Sequence, residues 1–184
     1  PELSDNIDYL ILHEYFTYDE SNMNNITVDE VLQGLKKYEE DRQNIYAMIE
    51  KYTDRTPEDL PIMLSEFNVR AGVKEMAFVS TAFLTRSLNE FALTDFGHAN
   101  IWNIANGYNA TKGDHGMLAR KETTADGAPH TVPDNTPHAS FFAYYYSNKF
   151  MGDVMLAVEN DSSSDGHLTT YATKFNDSAM GLII

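Results

Sequence analysis

The segment Leu60-Pro-Ile-Met-Leu-Ser-Glu-Phe-Asn68 runs an apolar stretch into one carboxylate, Glu66, flanked by a serine, an aromatic ring and the amide of Asn68. A run of this length, bounded by Pro61 and by Arg70-Ala-Gly72, reads as a buried parallel strand. Where such strands alternate with helices, polar side chains at their C-terminal ends line the active site. Glu66 is therefore the candidate catalytic residue. As plain structure it would instead cap the next helix or pair with a neighbouring arginine. A second polar tip, His13, Glu14 and Tyr15, ends the apolar body of Ile7-Asp-Tyr-Leu-Ile-Leu-His-Glu-Tyr-Phe16. Tyr15 also reads as a half-buried rim aromatic.

The elements that must hold these groups follow from periodicity. Thr27-Val-Asp-Glu30 has capping-box spacing, and apolar residues recur at Val28, Val31, Leu32 and Leu35, then at Ile45, Met48, Ile49 and Tyr52. After the Glu66 strand, Lys74 to about Leu93 reads as a helix with Met76, Val79, Ala82, Phe83 and Phe91 inward and Ser87, Asn89 and Glu90 on a wetter face. Ala99-Asn-Ile-Trp-Asn-Ile104 reads as a third strand, ending in the turn signal Ala105-Asn-Gly107. A long loop rich in Gly, Asp, Pro and Thr spans 108–135, and loops of that length are commonly functional. Thr136 with Pro137 reads as the start of a helix that runs to Gly152. Alternation then replaces the helical period at Val154–Val158, Leu168–Phe175 and Ala179–Ile184, which read as strands.

The order is β-α-β-α-β-loop-α followed by three strands. Successive β/α units imply a parallel sheet. Three units do not close an eight-stranded barrel, and the β-only tail reads as the opening of a sandwich. The chain begins near a strand and stops at Gly-Leu-Ile-Ile184, so the expectation is a fragment or processed piece.

Composition narrows the function. The 184 residues are 42% hydrophobic and 12% aromatic, which fits a globular protein with a substantial core. A net charge of −15 argues against nucleic acid, whose phosphates need clustered Lys and Arg. No apolar run approaches the length of a membrane span. The acidity suits a secreted or cell-surface bacterial protein. No cysteine is present, which excludes disulfides and thiol catalysis. His98, His130, His138 and His167 lack ligand spacing, so neither a metal nor a cofactor is expected. The Asp161, Asp165 and Gly166 turn offers oxygen ligands without the calcium-loop pattern, and turn chemistry accounts for it.

Taken as an ordered series, Pro61–Asn68, His13-Glu-Tyr-Phe16 and Trp102, the only tryptophan, make the chain resemble the C-terminal part of a clan A glycoside hydrolase. The segments Asn106-Gly-Tyr-Asn109, Gly113-Asp-His-Gly-Met117 and Met151-Gly-Asp-Val-Met155 are most similar to the agarase and porphyranase group, glycoside hydrolase family 86. The resemblance implies an α/β fold: the C-terminal part of a (β/α)8 TIM barrel in residues 1–152, then the start of a β-sandwich in 153–184. It implies a retaining endo-glycosidase on a β-linked algal galactan, with Glu66 as nucleophile. Substrate would be bound by His13, Tyr15, Asn68, Trp102, Asp114 and His115, with Trp102 stacking on a sugar ring; a core tryptophan is the alternative. The long loop, with Tyr108, Asn109, Lys112 and Arg120, would meet flanking sugars. Lys112, Arg120 and Lys121 would meet sulfate groups, or else pair with nearby acids.

Retaining hydrolysis needs a second carboxyl about 5 Å from the first. In the clan that acid belongs to an Asn-Glu pair on the fourth strand, so the missing N-terminal part of the barrel is an expected partner. Within the chain, Asn89-Glu90 reads as a solvated helix face, and Glu14 is the other carboxylate at a strand tip. A β-xylosidase or α-L-arabinofuranosidase-like enzyme, a noncatalytic carbohydrate-binding fragment and an unrelated α/β enzyme are the competing readings.

Overall fold

A computed structural model describes residues 6–16, 23–94, 96–109, 112–120, 132–159 and 168–184. The expectations for Lys121, for His130 and His167 and for the Asp161–Gly166 turn lie outside the described residues.

Three strands, β1 (Leu10–Phe16), β2 (Ile62–Val69) and β3 (Phe96–Ile101), form a parallel sheet in chain order. Helices α1 (Val28–Gln33) and α2 (Leu35–Tyr52) join β1 to β2, and α3 (Phe78–Leu93) joins β2 to β3. The capping box is formed: Thr27 Oγ1 accepts from the Glu30 N–H at 3.2 Å, and the Glu30 carboxylate accepts from the Thr27 N–H at 2.7 Å. One continuous apolar pattern becomes two helices because Gly34, a poor helix former, interrupts it. The segment read as the start of α3 is a separate 3-10 turn, Gly72–Met76.

Val31, Leu35, Tyr38, Phe83, Leu84 and Phe91 from the helices meet Leu64, Phe67 and Val69 of β2 in one core. Phe91 sits edge-on to both Phe67 and Tyr38, with ring centres 5.0 and 5.3 Å apart. Burying these rings is the main drive for folding this layer.

The register decides where Glu66 points. Leu12 pairs with Leu64, yet the next residue, His13, pairs with Glu66. On the other side Leu64 pairs with Ala99, while Phe67 pairs with Ile101. Both neighbours therefore see one extra residue in β2 between Leu64 and Phe67, a β-bulge. Strict alternation would put Leu64, Glu66 and Asn68 together on the helix face. The bulge keeps Leu64, Phe67 and Val69 there and turns Glu66 and Asn68 to the opposite face, as bulges beside active sites do.

The wet face expected on α3 is absent. No residue from Thr81 to Glu90 is fully exposed, and Ser87 and Asn89 are fully buried. The cause is α4 (Ala139–Phe150), which packs along α3 with its small residues Ser140, Ala143 and Ser147 buried. Ser87 and Asn89 satisfy their donors on the carbonyls of Phe83 and Thr85, one turn back.

Helix α4 begins later than expected, with His138 as its N-cap. Thr136 is drawn into an extended ribbon instead: its carbonyl accepts from Ala119 N–H at 2.9 Å, and Leu118 bridges Pro137. Strand β3 likewise ends at Ile101, leaving Trp102 just past it.

The tail forms an antiparallel sheet of β4 (Val154–Leu156), β5 (Tyr171–Lys174) and β6 (Met180–Ile183). It rests on the helices through polar ties. The Tyr171 hydroxyl donates to Glu90 at 2.6 Å, and the Thr173 hydroxyl donates to the Phe150 carbonyl at 2.8 Å. A Cβ at Gly181 would fall 1.9 Å from that same carbonyl, so only glycine fits there.

Candidate active site

Glu66, His13 and Tyr15 meet on the sheet face away from the helices. The Tyr15 hydroxyl donates to Glu66 Oε2 at 2.8 Å, and His13 Nδ1 lies 3.4 Å from the same oxygen. Adjacent parallel strands dictate this meeting: His13 is opposite Glu66 in the register, and Tyr15 is opposite Asn68. The Glu66 side chain retains 24% of its exposure, enough to be reached and little enough to be oriented. Burial, then the accepting Glu66 carboxylate, push the Tyr15 hydroxyl above the ordinary phenol range. Tyr15 thus stays a donor to Glu66 through neutral and alkaline pH.

Beside this pair, Tyr15, Arg70, Trp102 and His115 line a cleft of about 130 Å³. Trp102 follows β3 directly, its N–H bonded to the Phe67 carbonyl at 3.0 Å and its indole 42% exposed. That exposure places the ring at a surface and not in the core. The Trp102–Asn103 peptide bond is cis.

His115 reaches the cleft from the loop, where Arg70 NH1 approaches its Nδ1 at 2.6 Å. Arginine only donates, so Nδ1 is the acceptor and the ring proton sits on Nε2. The buried Glu75 carboxylate lies on the same side, with Oε2 at 3.3 Å from Nδ1 and without a hydrogen-bond partner. Its other oxygen accepts from the Ala71 N–H at 2.9 Å. Arg70 and Glu75 were not read from the sequence as site residues. The available signal was position, since Arg70 directly follows β2 at the strand's C-terminal end.

Two expected substrate contacts face inward. Asn68 is 2% exposed, with both amide hydrogens donated to carbonyls. Asp114 is 1% exposed; it accepts from Gly116 N–H at 2.8 Å and faces His138 Nε2 at 3.3 Å. Burial opposes its charge, but bonds from His138 and from the Gly116 and Gly107 N–H groups outweigh that and hold the carboxyl below its usual range. Asp114 therefore anchors the loop to the start of α4. Neither residue faces open solvent.

The in-chain candidates for a second carboxyl are placed elsewhere. Glu14 lies on the helix face, 3.2 Å from Lys37 Nζ of α2. Glu90, on α3 next to buried Asn89, accepts from the Tyr171 hydroxyl, so the expected solvated face is wrong. Lys112 is exposed on the 112–116 turn, and neither it nor Arg120 lines the cleft, where Arg70 is the cation present.

Among the described residues no group of three or more His, Asp or Glu is arranged to hold a metal ion, and no helix is long and apolar enough to cross a membrane. Comparison of the chain with models of known protein families gives no match, and comparison with curated proteins gives none either.

Proposed function

We propose that the chain is the C-terminal part of a retaining endo-glycoside hydrolase acting on a β-linked algal galactan of the agar or porphyran type, with Glu66 as nucleophile. The observation that carries this reading is the Tyr15–Glu66–His13 contact at the ends of two adjacent parallel strands, with an exposed tryptophan ending the third. A carboxylate fixed by a phenol can attack an anomeric carbon, and an indole face suits the C–H patch of a pyranose. The sheet would be strands six to eight of a (β/α)8 barrel, and the antiparallel tail the start of a sandwich.

The uncovered side of the sheet supports the missing remainder. Parallel sheets are normally covered on both faces, yet here Ile11 is 56% exposed, and His98 and Asn100 are also open on that side. Helix α4 also leaves Phe142, Tyr145, Tyr146 and Phe150 exposed in one strip. The N-terminal barrel units would cover both surfaces and bring the acid carboxyl opposite Glu66. A panel of galactans and arabinoxylan, given to the polypeptide that carries the whole barrel, tests the reading. Hydrolysis of one galactan with a β-configured product supports it. Cleavage of arabinoxylan only, or an inverted product, overturns it.

The second reading, a noncatalytic carbohydrate-binding piece, is favoured by the placement of Glu14 and Glu90 away from Glu66.

A further inference from the structure

Asn68 lies two residues beyond Glu66, buried, at the meeting point of three segments. Its Nδ2 donates to the Trp102 carbonyl at 2.7 Å and to the His115 carbonyl at 3.0 Å, while its Oδ1 accepts from the Val69 N–H at 2.8 Å. One planar amide thereby joins the end of β2, the residue after β3 and the 112–120 loop. Trp102 and His115 are two of the four residues that line the cleft. The other backbone tie on Trp102, from its N–H to the Phe67 carbonyl, also runs to β2. Trp102 is 42% exposed, and these backbone anchors help to fix where its ring stands.

We propose that Asn68 is a positioning residue. Its amide fixes the Trp102 platform and the His115 wall of the cleft relative to Glu66, without contacting the sugar. The proposal rests on the cleft being a sugar subsite. Only an amide serves here: both hydrogens are needed for two carbonyls, and a carboxylate of the same shape would set acceptors against acceptors. Alanine would leave two carbonyls without their partners in a buried setting, where an unmade bond is costly.

The single tryptophan makes the test direct, because emission excited at the red edge of the absorption band, where the 11 tyrosines do not absorb, reports Trp102 alone. Asn68→Ala and Asn68→Asp, each checked for folding by far-UV circular dichroism, are expected to shift the emission to the red and to raise acrylamide quenching about twofold as the ring loosens. Emission and quenching equal to the parent chain would overturn the proposal. Should both variants fail to fold, the parent chain still decides: slow solvent exchange of the Asn68 side-chain amide by NMR supports the clamp, and free exchange refutes it. In the polypeptide with the whole barrel, Asn68→Ala should raise KM about tenfold with kcat changed less than about threefold. A fall in kcat at constant KM would place Asn68 in the chemistry instead. Glu66→Gln, prepared in parallel, separates the two ideas. Turnover surviving in that variant removes the hydrolase reading, while the emission of Trp102 still settles the clamp.

Discussion

A single phenol oxygen, 2.8 Å from Glu66, is the contact on which the proposed chemistry turns. Replacing the carboxylate with its neutral isostere, Glu66→Gln, removes the attacking oxygen and keeps the shape. Turnover should fall by about a thousandfold or more, with galactan affinity nearly intact, as steady-state kinetics and equilibrium binding would show. Tyr15→Phe removes only the donor, and kcat/KM should drop about ten- to a hundredfold. The sign of the Tyr15 shift gives a pH expectation. Its hydroxyl is held above the ordinary range, so it stays protonated and donating past the pH where an unperturbed tyrosine ionises, near about 10. A pH–rate profile should therefore show no alkaline limb at that pH from this group. At this scale the sequence was informative for residues on the bare sheet face: His13, Tyr15 and Glu66 stand where a polar residue ends an apolar run. It misled for Asn68 and Asp114, because an amide at a strand end or a carboxylate in a loop looks the same whether it meets solvent or clamps backbone.

The bulge in β2 is the element-level device that turns Glu66 away from the core. Deleting Ser65 would remove the extra residue and leave Glu66 alone between Leu64 and Phe67, so strict alternation would keep Leu64, Phe67 and Val69 in the core and Glu66 on the opposite face. The deletion should therefore keep a cooperative thermal transition followed by circular dichroism, and loss of that transition would show that the sheet needs the bulge itself. No sequence signal marks this bulge, since a strand's apolar run reads the same with or without the additional residue. Capping chemistry was legible, because Thr27 and Glu30 act on their own backbone within one turn. The start of α4 and the burial of Ser87 and Asn89 were not, because both depend on partners far along the chain. The Asp114–His138 anchor carries a pH dependence. A carboxyl held below its unfolded value stabilises the fold above that value, near about 3.9, and the contribution is lost as pH falls through the lower folded value. Denaturant midpoints should drop between about pH 4 and 2 in the parent chain, and the drop should be smaller in Asp114→Asn, which starts less stable.

At the scale of the whole molecule, and among the described residues, one layer of helices covers one face of a parallel sheet, while Ile11, His98 and Asn100 are exposed on the face that carries Glu66. On the proposed reading, further β/α units would cover that face and bring the acid carboxyl. The 184-residue chain alone should accordingly hydrolyse nothing, and activity should return when the preceding barrel units are supplied, in one chain or as a second fragment. Activity of the chain by itself would show that the acid lies within it. The central claim concerns one bond. An activated 2-fluoro glycoside of galactose, incubated with the polypeptide carrying the whole barrel, forms a covalent ester that is slow to hydrolyse when the nucleophile is a carboxylate. Peptide mass spectrometry should place the added sugar on Glu66, and the label should vanish in Glu66→Gln. A label on any other carboxylate, or its persistence in that variant, would contradict the account.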